Sequence, residues 1–390
     1  MTSSDPPGDY QREIYLRGLA GDAPELPLDW RALEQAASAA MRPEAADWVA
    51  GGAGSEDTVR ANLEAFRRWR IVPRMLRGVG RRDLSTTVCG TPMAAPVLLA
   101  PVGVQALVHP DADAAAARAA SSLGLPFVLS TAASTTIEQL AEAAGTGQRW
   151  FQLYWPRDRE LAASLVRRAE QAGYGALVVT LDTWTLGWRP RDLQRGFLPL
   201  LRGAGLANYL SDPVFLAALP GPPERHPQQA VPLLAEIAGD PTLTWSDLGF
   251  LRQVTAMPIL LKGICDPTDA RRALAAGVDG LIVSNHGGRQ VDGAIAALDA
   301  LPRVVDQVAG AVPVLFDSGV RCAADALKAL ALGARAVLLG RLFLWGLALA
   351  GEQGVRQVLR AFLAELDLSL ALSGYARPAE LSPDALQRAG

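Results

Sequence analysis

The sequence predicts a (β/α)8 TIM barrel, a closed parallel sheet wrapped in helices, behind an N-terminal helical segment and with a long lid insertion after strand 4. Two observations carry this. From residue 95 onward, short apolar runs rich in β-branched residues alternate with Ala-rich helical stretches. Most of the runs are continuously apolar rather than alternating, which marks strands buried on both faces of a parallel sheet. Eight such runs suit one closed barrel better than two domains, although 390 residues allow either at about 100–200 residues per domain. An open doubly wound sheet is the alternative. It would carry a Gly-rich dinucleotide fingerprint after its first strand, where this chain reads Ala100-Pro101-Val102-Gly103-Val104.

The elements follow in order. The first ten or so residues are polar and bear Pro and Gly, and read as a loose arm. Residues 28–40 read as a helix with Asp29 near its start, and 43–49 as a helix with Pro43 at its first position. Gly51-Gly52-Ala53-Gly54 breaks the second, and 55–66 form a third. Strands are expected at 96–102, 127–130, 150–154, 176–182, 258–263, 280–285, 313–317 and 336–340, with helices such as 111–123, 158–172 and 267–276 between them. The whole chain, 1–390, reads as one domain: arm and helices at 1–94, barrel at 95–372, and a tail at 373–390. Between the fourth and fifth runs the rhythm fails, and 190–245 is an insertion dense in Gly and Pro. Such an insertion in a compact barrel is usually functional, often an active-site lid. Its apolar stretch Phe197-Leu198-Pro199-Leu200-Leu201 suits contact with a neighbouring subunit better than with a membrane, since few basic residues accompany it.

Composition narrows the classes. Half the residues are hydrophobic, enough for a sizeable buried core. Thirty-seven basic against 40 acidic residues give a charge of −3, so nothing electrostatic points to nucleic acid or an anionic membrane. Cys89, Cys265 and Cys322 are scattered, which argues against a disulfide scaffold or a structural zinc and for a reducing, cytoplasmic setting. The stretch Met1-Thr2-Ser3-Ser4-Asp5-Pro6 has no secretory pattern. The longest apolar run, 342–351, is about half a membrane span and reads as a buried barrel helix.

Catalytic groups of such barrels sit at the C-terminal ends of the strands. The expected strand ends are Pro101-Val102-Gly103, Ser130, Gln152 to Tyr154, Thr180 to Asp182, Lys262, Ser284 to Arg289, Asp317 to Gly319 and Gly340-Arg341. The chain has three histidines as candidate bases. His226 lies in the insertion and reads as exposed, and His109 reads as a capping or packing residue beside Pro110. His286 follows a buried strand directly and is the candidate base. Asp182 could hold its ring and stabilise its protonated form, or merely cap a helix. Arg189 and Arg289 suit a carboxylate clamp, or solvated loop charges, and Tyr154 adds a phenol or simple wall packing. Gly319, Arg321, Gly340 and Arg341 fall where barrels commonly bind phosphate. Lys262 offers a fixed positive charge beside a cofactor ring, or pairs with a barrel carboxylate. No cluster has metal-ligand spacing and no nucleophile elbow is present, so no metal is expected.

At these residues the chain resembles the FMN-dependent 2-hydroxy-acid oxidising enzymes, the group of glycolate oxidase, lactate oxidase and mandelate dehydrogenase, over nearly its whole length. The resemblance is strongest at Ser284-Asn285-His286-Gly287-Gly288-Arg289-Gln290. Gly8-Asp9-Tyr10-Gln11, the run from Asp182 to Asp192 and Leu206-Ala207-Asn208-Tyr209 resemble the lactate 2-monooxygenase branch. The resemblance implies FMN as cofactor, a small L-2-hydroxy acid and O2 as reactants, and a homo-oligomer, tetramer or octamer. It makes His286 the base and Asp182 its partner, with Tyr154, Arg189 and Arg289 on the substrate carboxylate. FMN would then contact Pro101, Val102, Gly103, Ser130, Gln152, Thr180, Lys262 and Ser284, with Asp317 on the ribityl chain and Gly319, Arg321, Gly340 and Arg341 on the phosphate. One departure stands out: Trp48 occupies the place of a substrate-binding tyrosine. Ala132 stands where glycolate oxidase carries a bulky aromatic, leaving room for a larger side chain. Gly103 leaves space that a methyl group would fill, and together with the insertion it points to oxidative decarboxylation. The rival readings are a simple oxidase, a dehydrogenase using another acceptor, and a weakly active FMN-binding paralogue.

Overall fold

Residues 6–221 and 229–389 are described by the structure, a computed structural model. Eight parallel strands close a barrel in chain order: β1 (Val97–Leu99), β2 (Phe127–Ser130), β3 (Arg149–Tyr154), β4 (Leu177–Thr180), β5 (Ile259–Lys262), β6 (Gly280–Val283), β7 (Val314–Phe316) and β8 (Ala336–Leu339). Closure comes from β8 pairing with β1, Leu338 opposite Leu98. Several strands are shorter than the apolar runs. The expected strand at 96–102 stops at Leu99, because Pro101 has no N–H to give the ladder. The expected strand at 176–182 stops at Thr180.

Successive strand residues face opposite sides, so each apolar run fills two cores. Leu98, Val128, Trp150, Val178, Leu260, Ile282, Leu315 and Leu338 point inward and form one cluster. Their neighbours, among them Leu99, Leu129, Phe151, Val179, Leu261 and Val283, face the surrounding helices. A hairpin, Thr86–Val88 and Thr91–Met93, closes the N-terminal end of the barrel. It adds Val88 and Met93 to the inner cluster, and Trp150 Nε1 donates to Thr91 Oγ1 at 2.9 Å.

The expected helices before the barrel appear as Trp30–Ala40, Pro43–Ala50 and Asp57–Arg67. Asp29 caps the first, accepting from the backbone N–H of Arg31 and Ala32. The loose arm is shorter than its composition suggests. Gly8 donates its backbone N–H to Asp367, the helix Asp9–Gly18 follows, and Tyr10 is buried under the Arg360 guanidinium. The tail returns to this segment, since Leu386–Arg388 pairs antiparallel with Trp69–Ile71. The apolar run at 342–351 lies in the helix Arg341–Leu372, buried against the barrel, with a break at Ala350 and Gly351. No helix among the described residues is long and apolar enough to cross a membrane.

The insertion folds into short helices: Pro190–Gln194, Pro199–Arg202, Ala207–Leu210, Pro213–Ala218 and Ala230–Ile237. His226 lies outside the described residues. Buried Asn208 ties the insertion to the rim: its amide donates to the Ser130 and Thr131 carbonyls and accepts from Ile137 N–H. The stretch expected to face a neighbouring subunit turns partly inward. Pro199 is buried, and Leu198, Leu200 and Leu201 line the cavity at the barrel mouth.

Asp367 joins the two ends of the chain. It accepts two bonds from Arg82, at 2.6 and 2.7 Å, and one from Gly8 N–H at 3.1 Å, with its side chain almost wholly buried. Asp367→Ala leaves a partly buried guanidinium without its partner and should cost about 3–5 kcal/mol. A fall in the urea midpoint at unchanged slope is the expected result, and an unchanged midpoint would contradict the account.

Candidate active site

The inner face changes character within two residues at the C-terminal end of the barrel. Inward Leu98 is followed by Ala100, Val128 by Ser130, Trp150 by Gln152 and Val178 by Thr180. Leu260 is followed by Lys262, Ile282 by Ser284, Leu315 by Asp317 and Leu338 by Gly340. The alternation that fills the core thus delivers a ring of polar groups to one mouth. Above the ring lies a cavity of about 520 Å³. Trp48, Pro101, Val102, Gly103, Tyr154, Arg189, Lys262, His286, Arg289, Asp317, Gly319, Arg321, Gly340 and Arg341 all line it. Ser130, Gln152, Thr180 and Ser284 are buried behind the lining, and Asp182 stands behind His286.

His286 is held by both backbone and side chain. Its φ of 58° is left-handed, a conformation costly for a residue with a Cβ, and Gly287 and Gly288 continue it. Ser284 Oγ accepts its N–H at 3.0 Å, and Ser318 Oγ accepts that of Gly287 at 3.0 Å. Asp182 Oδ1 lies 2.8 Å from His286 Nδ1, and Thr183 Oγ1 touches both. Nδ1 is therefore occupied, and Nε2 is the nitrogen left for a ligand. Burial lowers the His286 pKa; the Asp182 charge opposes this without cancelling it. Burial would raise the Asp182 carboxyl, but the charges of His286 and Lys262 prevail and bring it down to about 2. At neutral pH the pair is a neutral imidazole on an ionised carboxylate, the state of a general base. The Tyr154 ring lies 6.5 Å from the imidazole at an interplanar angle of 26°.

The arginines are buried with too little negative charge around them. Arg189 donates Nε to the Arg289 carbonyl at 3.0 Å and Nη2 to Gln290 Oε1 at 2.8 Å. Arg289 Nη1 donates to the Trp48 and Gly51 carbonyls, both at 2.7 Å. Trp48 lies against both guanidiniums, with ring centroid distances of 5.6 Å to Arg189 and 5.0 Å to Arg289. Burial, then the charges of Arg189 and Arg341, push the Arg289 pKa well down. Arg341 is not a bare anion donor. It donates to the carbonyls of Val49, Ala50, Gly51 and Gly287, closing the negative end of the helix Pro43–Ala50. Burial, then Arg321, still brings its pKa down to about 9. Arg321 is buried too, and its Nε has no partner among the described residues. Sites with surplus buried cations favour bound anions.

Two glycines shape the second anion region. Gly319 has φ of 99°, and a Cβ there would meet the Asn62 carbonyl oxygen at 2.8 Å. A Cβ on Gly340 would meet nothing, so its backbone faces open space. Lys262 donates to Ser284 Oγ at 2.8 Å and pairs with Asp317 Oδ2 at 3.0 Å. Burial lowers its pKa, but Asp317 and Asp182 reverse the direction and keep it charged. The space expected beside Gly103 is absent: a Cβ there would meet the Ala132 carbonyl oxygen at 2.9 Å and Cβ at 3.0 Å.

Thr183, Ser318, Gln290 and Asn208 escape sequence reasoning as contributors. Thr183 and Ser318 directly follow Asp182 and Asp317, which is the one local signal they carry. Gln290 joins the Asp182 carbonyl to Arg189, a contact across more than a hundred residues. Among the described residues no group of His, Cys, Asp and Glu could hold a metal ion.

Comparisons with known proteins bear on the family, the fold and the cofactor. Residues 37–388 match the FMN-dependent dehydrogenase family. The chain is 43% identical over 392 residues to the FMN-dependent alpha-hydroxy acid dehydrogenase qulF of Penicillium citrinum, covering 98% of this chain and 96% of that one. It is 44% identical over 362 residues to an L-lactate oxidase of Lysinibacillus sphaericus, covering 93% of each. A solved structure of an active mutant of (S)-mandelate dehydrogenase superposes with a TM-score of 0.85 at 39% identity, covering 93% of this chain and 99% of that one. A match of this breadth shows that the chain belongs to the FMN-dependent dehydrogenase family and takes FMN as its cofactor.

Proposed function

We propose that the protein oxidises an L-2-hydroxy acid at its α-carbon and delivers the electrons to O2. The observation that carries the reading is a neutral, carboxylate-held imidazole sharing one cavity with two buried guanidiniums. FMN-dependent chemistry on 2-hydroxy acids is the common ground of the relatives. The donor set fits FMN: buried Arg321 Nε and Gln152 Nε2 lack partners, and the Gly340 backbone opens onto space. Gly319, Arg321, Gly340 and Arg341 would hold the phosphate and Asp317 the ribityl chain. Pro101, Val102, Gly103, Ser130, Gln152, Thr180, Lys262 and Ser284 would hold the ring. Bound FMN supplies the two-electron acceptor.

Arg189, Arg289 and Tyr154 bind the substrate carboxylate and set the hydroxyl at His286 Nε2. His286 takes the hydroxyl proton, and Asp182 stabilises the imidazolium as the α-hydrogen leaves with its electron pair. Lys262 presents fixed positive charge where negative charge develops. The product is the 2-oxo acid. The insertion walls the cavity and is bonded to its rim through Asn208, which favours retention of that product. Retained, the 2-oxo acid would be oxidatively decarboxylated by the hydrogen peroxide formed when O2 takes up the two electrons, giving a carboxylic acid one carbon shorter, CO2 and water. The second reading is early release with hydrogen peroxide, and it is favoured by Gly103, which offers no extra space beside Ala132.

His286→Ala should keep FMN and lose about 100- to 10,000-fold in the rate of anaerobic flavin reduction. An unchanged rate with the best substrate would remove His286 as the base. The base works when neutral and burial lowers its pKa, so kcat/KM should rise with pH through an apparent pKa below 6.5 and stay level through neutrality. An acid limb centred above pH 7 would contradict this. Product fate is read by quantifying CO2, 2-oxo acid and peroxide in one aerobic reaction. Retention predicts CO2 matching the substrate consumed; stoichiometric free peroxide and 2-oxo acid without CO2 establish early release.

A further inference from the structure

We infer that the substrate's side chain is bulky and apolar, a chain of several carbons or an aromatic ring, rather than the methyl group of lactate. This rests on the reading above and names the acid it acts on. The charged groups of the cavity sit on the barrel's own loops, on the start of the long connection at Arg189 and on the 341 turn. The lining also carries hydrocarbon: Val104 and Ala132 from the barrel loops, and Leu198, Leu200, Val231 and Leu234 from the insertion, which adds one hydroxyl, that of Tyr209. No acidic or basic side chain from 190–245 lines the cavity among the described residues. A charged tail entering there would lose water and meet no opposite charge from the insertion, whereas an apolar tail gains from every group it buries.

The chamber is built rather than incidental. Gly205, at φ of 77°, seats the insertion on the loops after β1 and β2: a Cβ there would meet the Ala132 carbonyl oxygen at 2.7 Å, Val104 Cγ2 at 3.0 Å and Leu200 Cδ2 at 3.3 Å. Toward solvent, the apolar lining continues through Trp184 and Leu201, each 53% exposed, so a tail longer than the chamber still runs along hydrocarbon. Trp48 bears on the same choice. Its ring covers the guanidiniums without a hydroxyl to bind carboxylate, so an acid with little side chain has less to hold it.

The test is anaerobic flavin reduction of the holoenzyme by L-lactate, 2-hydroxybutanoate, 2-hydroxyhexanoate, 2-hydroxyoctanoate and 3-phenyllactate. The expected kcat/KM rises about fourfold for each added methylene until the tail leaves the chamber. Leu234→Asn, with bound FMN confirmed by absorbance, should cut the 2-hydroxyhexanoate-to-lactate ratio about tenfold. Ala132→Leu, which fills the chamber instead of wetting it, should lower the same ratio. A series that is flat or falls from lactate overturns the inference and leaves the oxidation of 2-hydroxy acids standing, as does an unchanged ratio in both variants. If no acid, lactate included, reduces the flavin, the parent reading fails instead.

Discussion

Four guanidiniums buried at one barrel mouth are the constraint around which the molecule is arranged. Arg189, Arg289, Arg321 and Arg341 are all taken largely out of water, and the carboxylates near them do not balance their charge. An unpaired buried charge is costly, so each must be met by dipoles or by a ligand. The carbonyls at the end of the helix Pro43–Ala50 meet two of them. That helix is in turn held by ion pairs from the insertion, Arg191 to Glu56 beyond its end and Arg195 to Asp47 within it. The segment before the barrel is therefore part of the site.

Lys262 and His286 show the opposite solution, burial with a matched carboxylate. Asp317 keeps Lys262 charged, and Asp182 is itself held ionised by the charges beside it. The arginine groups ask for anions from outside, while these two are complete within the protein. One mouth thus holds arginines with positive charge to spare beside a lysine and a histidine that each face a carboxylate of the protein.

Much of this is legible in the sequence because strand geometry has a period of two. Once the apolar runs are found, the polar residues ending them must share one mouth, and Ser130, Gln152, Thr180, Lys262, Ser284 and Asp317 are found there. What stays hidden depends on contacts between distant segments. Nothing local in Arg341 says that it spans helix-end carbonyls rather than waiting bare for phosphate. Nothing in Gly103 says that Ala132 already fills the space beside it. The loose-arm reading of the first residues runs too far for the same reason: Gly8 is fixed by Asp367, far along the chain. The apolar stretch around Pro199 reads as surface because hydrophobicity alone does not say which way a loop turns.

The insertion between β4 and β5 is fastened to the barrel by Asn208, by the seat of Gly205 and by Asp212, which accepts from Ser164 and Arg168, and to the segment before the barrel by Arg191 and Arg195. The polar ring comes from strand ends, while this one stretch of chain supplies Leu198, Leu200, Leu201, Val231 and Leu234 of the hydrocarbon wall. The polar strand ends and the insertion's share of the hydrocarbon are therefore carried on separate stretches of chain. A lineage can remodel one by insertion, deletion or exchange of a single loop while the other is inherited intact.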